Sequence, residues 1–313
     1  MHAVVIEAGE LRWIERPDPM PGDTELLVEV RAAGINAADL VQRQGFYPAP
    51  PGAPADIPGL ELAGDVVAVG TKVSRFTPGD RVMALVGGGG QATRATVDEA
   101  HALAVPDHVD WPAAGGFPEA YSTAFDALWS QCQLQMGERV LVTGAAGGVG
   151  TAAVQLAAAA GARVVASVRD PARRPAIEEL GAAVAIEPDD VALHGPYDVV
   201  LELVGAPSLA GALGSLATGA RVVVIGIGGG ASFELDLRRL MLARARISAS
   251  TLRARDRTAK AAVADGVARH VLPLLATGRI GVPISATIEM ADAAAAYERF
   301  AAGGKLGKIV LVT

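Results

Sequence analysis

The residues with the clearest chemical potential lie in one turn. Leu141, Val142 and Thr143 end an apolar run that reads as a buried strand. Gly144, Ala145, Ala146, Gly147, Gly148, Val149 and Gly150 follow it. Residues 149–160 are small and apolar, with Gln155 the one large polar residue, which predicts a helix; 163–168 reads as a second strand. Strand, glycine turn, helix and strand make a right-handed βαβ unit with the turn at a helix N-terminus. Free N–H groups and the helix dipole favour a pyrophosphate there. The Gly-x-Gly-x-x-Gly spacing is met with one departure, because Ala145 stands first, before Gly147 and Gly150. The flanking strand and helix are the context that this motif requires, so the turn predicts dinucleotide binding.

The elements that position this turn alternate. Strands are predicted to end at residues 143, 168, 186, 204, 225 and 251, with helices at 171–180 and 207–216 between them. Six strands match a doubly wound sheet of order 3-2-1-4-5-6. The region before residue 111 differs. Short strands at 3–6, 11–14, 25–32, 62–69, 80–85, 91–97 and 102–105 are separated by Gly and Pro clusters, which suggests a small barrel or sandwich. One short helix follows Asn36, Gly45 stops it, and the proline-rich stretch 46–59 reads as a loop; Gly87 to Gly90 is a bare glycine run. Near the end, 259–276 reads as one amphipathic helix, 292–301 as another, and 308–312 as a strand.

Composition sets limits. The chain has 313 residues, above what one core usually holds, so two domains are expected. Lys and Arg total 27 against 34 Asp and Glu, a net charge of -7 without long runs of either sign. That argues against nucleic acid or an anionic membrane as partner. The N-terminal stretch lacks a basic region followed by an apolar one, so no signal peptide is expected. The most apolar window, 151–168, is interrupted by Gln155, Gly161 and Arg163 and predicts no membrane span. Cys132 stands alone, which excludes an internal disulfide and a four-cysteine zinc site; a cytoplasmic protein is the simplest expectation.

Several runs carry a family resemblance. They are NAADLVQRQGFYPAPPG from Asn36, PEAYSTAF from Pro118, GAAGGVGTAAVQLA from Gly144, TLRARD from Thr251 and GKIVL from Gly307. Together they resemble the zeta-crystallin-like NADPH:quinone oxidoreductases of the medium-chain dehydrogenase/reductase superfamily. The resemblance spans essentially the whole chain. It implies an α/β protein: a GroES-like β-barrel catalytic domain at 1–118, a Rossmann nucleotide domain at 119–256, and a returning segment at 257–313 that completes the first. Zinc-dependent members of the superfamily resemble one another in a Cys after the glycine near the second long strand and in a downstream Gly-His-Glu. Here Asn36 follows Gly34 and Ile35, and Leu60 stands where the His would be, before Glu61. A lone Glu61 cannot hold a catalytic zinc, which needs three protein ligands. It is expected to cap or pair, and the five scattered histidines form no ligand spacing.

Without a Lewis acid, reduction of an electron-poor carbon is easier than alcohol oxidation. A quinone or enone needs mainly to be positioned against a nicotinamide. The resemblance places Asn36 near the nicotinamide ribose and substrate and Tyr47 along the cleft. Asn36 also reads as a turn asparagine and Tyr47 as packing on the proline loop. Thr123 is similar to a position near the nicotinamide, with helix capping as its other reading. Gly226, Gly228 and the backbone of Thr251, Leu252 and Arg253 resemble loops on the nicotinamide side. Cofactor choice is expected after the second strand, where an NAD enzyme carries an acid. Ser167, Val168 and Arg169 are not acidic, and Arg173 and Arg174 follow. Guanidinium groups suit a 2′-phosphate, and the resemblance aligns Arg173 with a phosphate-binding lysine, so NADPH is expected. Asp170, next to Arg169, is expected to cap the helix that begins at Pro171. The alternatives are an enoyl-thioester or alkenal reductase, and a nucleotide-binding protein without catalysis. The strand at 246–251 would be a sheet edge without proline, and related proteins pair such edges, so a homodimer is expected.

Overall fold

The computed structural model describes all 313 residues, Met1–Thr313. The chain divides into two compact units, Met1–Ser122 with Leu252–Thr313, and Thr123–Thr251. The crossings therefore fall at 122/123 and 251/252, and Leu252 and Arg253 belong to the first unit.

Thr123–Thr251 is built on six parallel strands. In space they run Val184–Ile186, Arg163–Ser167, Arg139–Val142, Tyr197–Glu202, Leu216–Val224 and Arg246–Ala249. Numbered along the chain, that order is 3-2-1-4-5-6. The four inner strands are near-continuous apolar runs because helices cover both faces of such a sheet. Leu141, Val165, Val200 and Val222 are buried at its centre. The helix Gly148–Ala159 buries residues 150–157 without a gap, and their small side chains let it lie close. The last strand pairs on one side alone, with Leu216–Val224.

The other unit is organised by the ten-residue strand Glu25–Gly34. It pairs antiparallel with Glu61–Val69 and Arg94–Asp98, and its end pairs with the C-terminal strand Lys308–Val312. Alternate residues Leu26, Val28 and Val30 point into one core with Leu62, Val66, Val82, Ile309 and Leu311. That register brings Lys308 beside the turn that follows Gly34.

Several local expectations change. The predicted helix at 259–276 is two helices, Arg257–His270 and Leu272–Ala276. Pro273 has no N–H to continue the ladder, and Val271, the residue between the two helices, stays in the right-handed helical region but at φ -105. The helix predicted at 207–216 ends at Ala212, passes through the 3₁₀ turn Leu213–Ser215, and the next strand starts at Leu216. Gly211 and Gly214 weaken it. The edge strand is shorter than predicted, Arg246–Ala249. The strand Ile284–Glu289 and the helix Leu237–Ala243 were not predicted; the first is only half-buried and the second buries nothing.

Candidate functional site

In the nucleotide unit, the turn after Arg139–Val142 has the geometry that an anion needs. Gly144 sits at φ +58, where a side chain is strained. Ala145 does not share that conformation and is fully buried, with its N–H bonded to Ser167 O at 3.2 Å. This explains the departure in the motif: the left-handed position is Gly144, and alanine fits the next. A Cβ on Gly150 would lie 2.6 Å from both Ala145 Cα and Gly144 O, so only glycine lets the helix start against the turn. Gly147 is the N-cap and has no side chain to satisfy the first-turn N–H groups, which leaves them for a ligand.

A residue with no signature in the sequence organises the neighbouring crevice. Glu202 ends the fourth strand, fully buried. Its Oε1 accepts from Thr143 Oγ1 at 2.9 Å, Val204 N at 2.7 Å and Gly205 N at 2.8 Å. Thr143 Oγ1 in turn accepts from Leu203 N. The knot joins the first and fourth strands, where the strand order reverses and ligands bind in such sheets. Gly226 follows the fifth strand, and a Cβ there would meet Leu203 O at 2.1 Å; Gly228 has open space. Thr123 is buried inside the helix Pro118–Phe125, which rules out the capping role.

At the end of the second strand the three arginines separate. Asp170 Oδ1 caps the turn by accepting from Ala172 N at 3.0 Å, and its Oδ2 accepts from Arg173 Nε at 3.3 Å. Arg174 bonds Val168 O and Glu187. Arg169 is exposed.

In the other unit, Asn36 is the N-cap of the helix Ala37–Arg43. The capping is done by Asp39, whose Oδ2 accepts from Asn36 N at 2.8 Å. The Asn36 carboxamide turns inward instead. Its Nδ2 donates to Glu61 Oε1 at 2.9 Å, and its Oδ1 accepts from Lys308 Nζ at 2.6 Å. Lys308 also bonds Ile35 O at 3.1 Å and pairs with Glu61 Oε1 at 2.6 Å, while Glu61 Oε2 accepts from Glu119 N at 2.8 Å. Lys308 is 3 % exposed and Glu61 0 %, so every polar atom of this pair must be matched inside the protein, and it is. Glu61 thus pairs, as its isolation in the sequence predicted. Burial pushes the neighbouring Asp39 carboxyl up to about 6.

Tyr47 is half-buried in the proline loop. Burial, then the Glu119 carboxylate, hold its phenol above the ordinary value, so it stays protonated at neutral pH. Its ring lies 5.1 Å from the Arg253 guanidinium. The Arg253 side chain points into this unit, where its Nη1 donates to Tyr47 O at 2.7 Å. No group of three or more His, Cys, Asp or Glu side chains is arranged to hold a metal ion. Cys132 is buried, and burial pushes its thiol up to about 12, which makes it a poor nucleophile. No helix is long and apolar enough to cross a membrane.

Residues 22–107 match the family described as alcohol dehydrogenase GroES-like domain, and 148–265 match zinc-binding dehydrogenase. Quinone oxidoreductase of Lama guanicoe is 31% identical over 244 residues, 75% of this chain and 73% of that protein. Acryloyl-coenzyme A reductase of Metallosphaera sedula is 29% identical over the full length of both. A quinone oxidoreductase-like protein 2 homolog of Nematostella vectensis is 36% identical, with the match spanning 46% of its length. Among solved structures, a mycobacterial protein complexed with NADPH superposes with TM-score 0.89 at 28% identity over 100% of both chains. The fold shared over the whole chain and the identity to a quinone oxidoreductase agree with the runs read from the sequence: the protein is an oxidoreductase-family chain of the zeta-crystallin-like branch of the medium-chain dehydrogenase/reductase superfamily.

Proposed function

We propose that this protein transfers a hydride from NADPH to a quinone or a similar electron-poor enone, without a metal ion. The observation that carries the cofactor reading is the end of the second strand: no acid, an exposed Arg169, and Arg173 close by, its Nε bonded to Asp170 at 3.3 Å. The turn 144–150 would hold the pyrophosphate, and Arg169 with Arg173 the 2′-phosphate. Thr123, Gly226, Gly228 and the backbone of Thr251, Leu252 and Arg253 would hold the nicotinamide side.

When bound, the nicotinamide supplies a hydride to a ring or β carbon of the acceptor. The proton that completes the reduction goes to the acceptor oxygen, from solvent or a hydroxyl. The protein's task is to orient a flat molecule. Asn36 serves through its fixed place, since its amide is already bonded to Lys308 and Glu61. Tyr47 offers a ring wall and a protonated hydroxyl. The direct test is NADPH consumption with a panel of quinones, alkenals and enoyl thioesters, before and after dialysis against a chelator. Turnover of quinones that survives chelation is expected. A stoichiometric zinc required for turnover would overturn the metal-free reading. Clear preference for thioesters would move the activity to the runner-up, which the likeness to acryloyl-coenzyme A reductase favours. NADPH binding with no acceptor consumed would leave a binding protein.

Tyr47→Phe keeps the ring and is expected to cost less than about tenfold in kcat/KM, or about 1.4 kcal/mol. Tyr47→Ala removes the wall and is expected to cost more, chiefly in the acceptor KM. Loss of turnover in Tyr47→Phe with acceptor binding intact would make the hydroxyl an obligatory proton donor instead.

We also propose a homodimer formed through the edge strand Arg246–Ala249. Its free side is an unpaired ladder, and Ile227, Leu237, Met241 and Leu242 are exposed large apolar residues in the same unit. Light scattering is expected to give twice the chain mass at micromolar concentration; a stable monomer there contradicts the proposal.

A further inference from the structure

We propose that Arg253 is the positioning residue of the acceptor side, and that its guanidinium sets where Tyr47 stands. The proposal rests on the reading of Tyr47 as a wall of the acceptor site. Arg253 is 4 % exposed. Its three nitrogens reach three separate segments. Nε donates to Gly87 O at 2.8 Å, Nη1 to Tyr47 O at 2.7 Å, and Nη2 to Gln42 Oε1 at 2.6 Å. Gln42 passes the grip onward, since its Nε2 donates to Ala55 O at 3.3 Å on the far limb of the proline loop. One side chain therefore ties the end of a helix, both limbs of the loop and the glycine run.

The loop has few other anchors near Tyr47. Gly45 and Gly52 bracket it in left-handed conformations, φ +82 and +88, and Phe46 is 80 % exposed. Beneath it lie the glycines. A Cβ on Gly87 would meet Pro50 Cγ at 3.0 Å, and one on Gly89 would meet Pro54 Cγ at 3.1 Å. The run Gly87 to Gly90 is bare because the proline loop rests on it. That floor sets the depth of the loop but gives no directional bond to Tyr47. The directional bond comes from Arg253. All three of its partners are neutral oxygens, so the pattern is a fork that points carbonyl groups rather than an ion pair. A lysine carries its three donors on one nitrogen and could not reach three acceptors spread around a planar fork.

The test uses the full-length protein with Arg253→Lys and Gln42→Leu. Gln42→Leu removes one acceptor of the fork and leaves Arg253 in place, and it keeps the test sound if Arg253→Lys folds poorly. Amide hydrogen exchange over residues 42–55 and 85–90 reads the clamp without any turnover. Faster exchange confined to those segments is expected in both variants, larger in Arg253→Lys. With NADPH and a quinone, the acceptor KM is expected to rise about tenfold in Arg253→Lys and by a smaller factor in Gln42→Leu, the latter with the Kd for NADPH and kcat within about twofold. Unchanged exchange in those segments would overturn the clamp. A parallel loss of NADPH affinity, kcat and acceptor affinity with a lowered Tm in Gln42→Leu would overturn the positioning role in favour of a general structural one. If wild-type protein consumes no acceptor, the function reading fails, while the exchange experiment still decides whether Arg253 holds the loop.

Discussion

Replacing Lys308 by methionine is expected to destabilise the unit that contains it by about 3–5 kcal/mol, the usual cost of removing one partner from a buried ion pair. Methionine has a similar length and no charge, so packing is nearly kept. Glu61, fully buried, would keep Asn36 Nδ2 and Glu119 N but lose the ammonium 2.6 Å away. Asn36 Oδ1 would lose its partner at the same time. At about 2–4 °C per kcal/mol for a domain of this size, Tm should fall by roughly 6–20 °C. The double variant Lys308→Met with Glu61→Gln removes both charges and is expected to recover a large part of the loss. Denaturant titration of the four proteins of this cycle measures the coupling directly. An unchanged midpoint in Lys308→Met would mean that the network contributes nothing to stability.

The second large effect is on cofactor choice. Alanine at both Arg169 and Arg173 is expected to weaken NADPH binding by about 2–4 kcal/mol, taking each charged hydrogen bond at about 1–2 after solvent screening. NADH, which has no 2′-phosphate, should change little. The structure refines the split between the two residues. Arg173 is shared with Asp170 at 3.3 Å, whereas Arg169 is exposed. Arg169→Ala should therefore cost more than Arg173→Ala. Because both groups face water, the difference between NADPH and NADH should shrink as ionic strength rises. Equal losses for the two cofactors, measured by fluorescence titration, would remove the 2′-phosphate from these residues.

The amino-acid sequence by itself determined the local features of this protein. Apolar runs of strand length around a glycine turn predicted the parallel sheet, and its observed order 3-2-1-4-5-6 follows from short right-handed connections. The Asp170 cap was legible because capping depends on neighbours two or three residues away. The absence of zinc-ligand residues beside Gly34 and Gly59 was legible for the same reason, since residue types can be read in place. Where burial gives no periodic signal, an element leaves no mark in the sequence: Leu237–Ala243 buries no residue, and Ile284–Glu289 buries none fully. What only the tertiary structure decided is which polar groups meet. Asn36 and Lys308 are 272 residues apart in the chain, and Arg253 and Tyr47 are 206. Lys308 reads as an ordinary strand-end lysine, yet the pairing of Glu25–Gly34 with Lys308–Val312 carries it under the Asn36 turn. Arg253 reads as one more arginine in a basic run, yet it is buried and binds three segments. The physical reason is that periodicity and capping report forces between near neighbours along the chain. The partner of a buried charge is set by where distant segments cross, and there desolvation leaves no charge or amide unmatched at low cost.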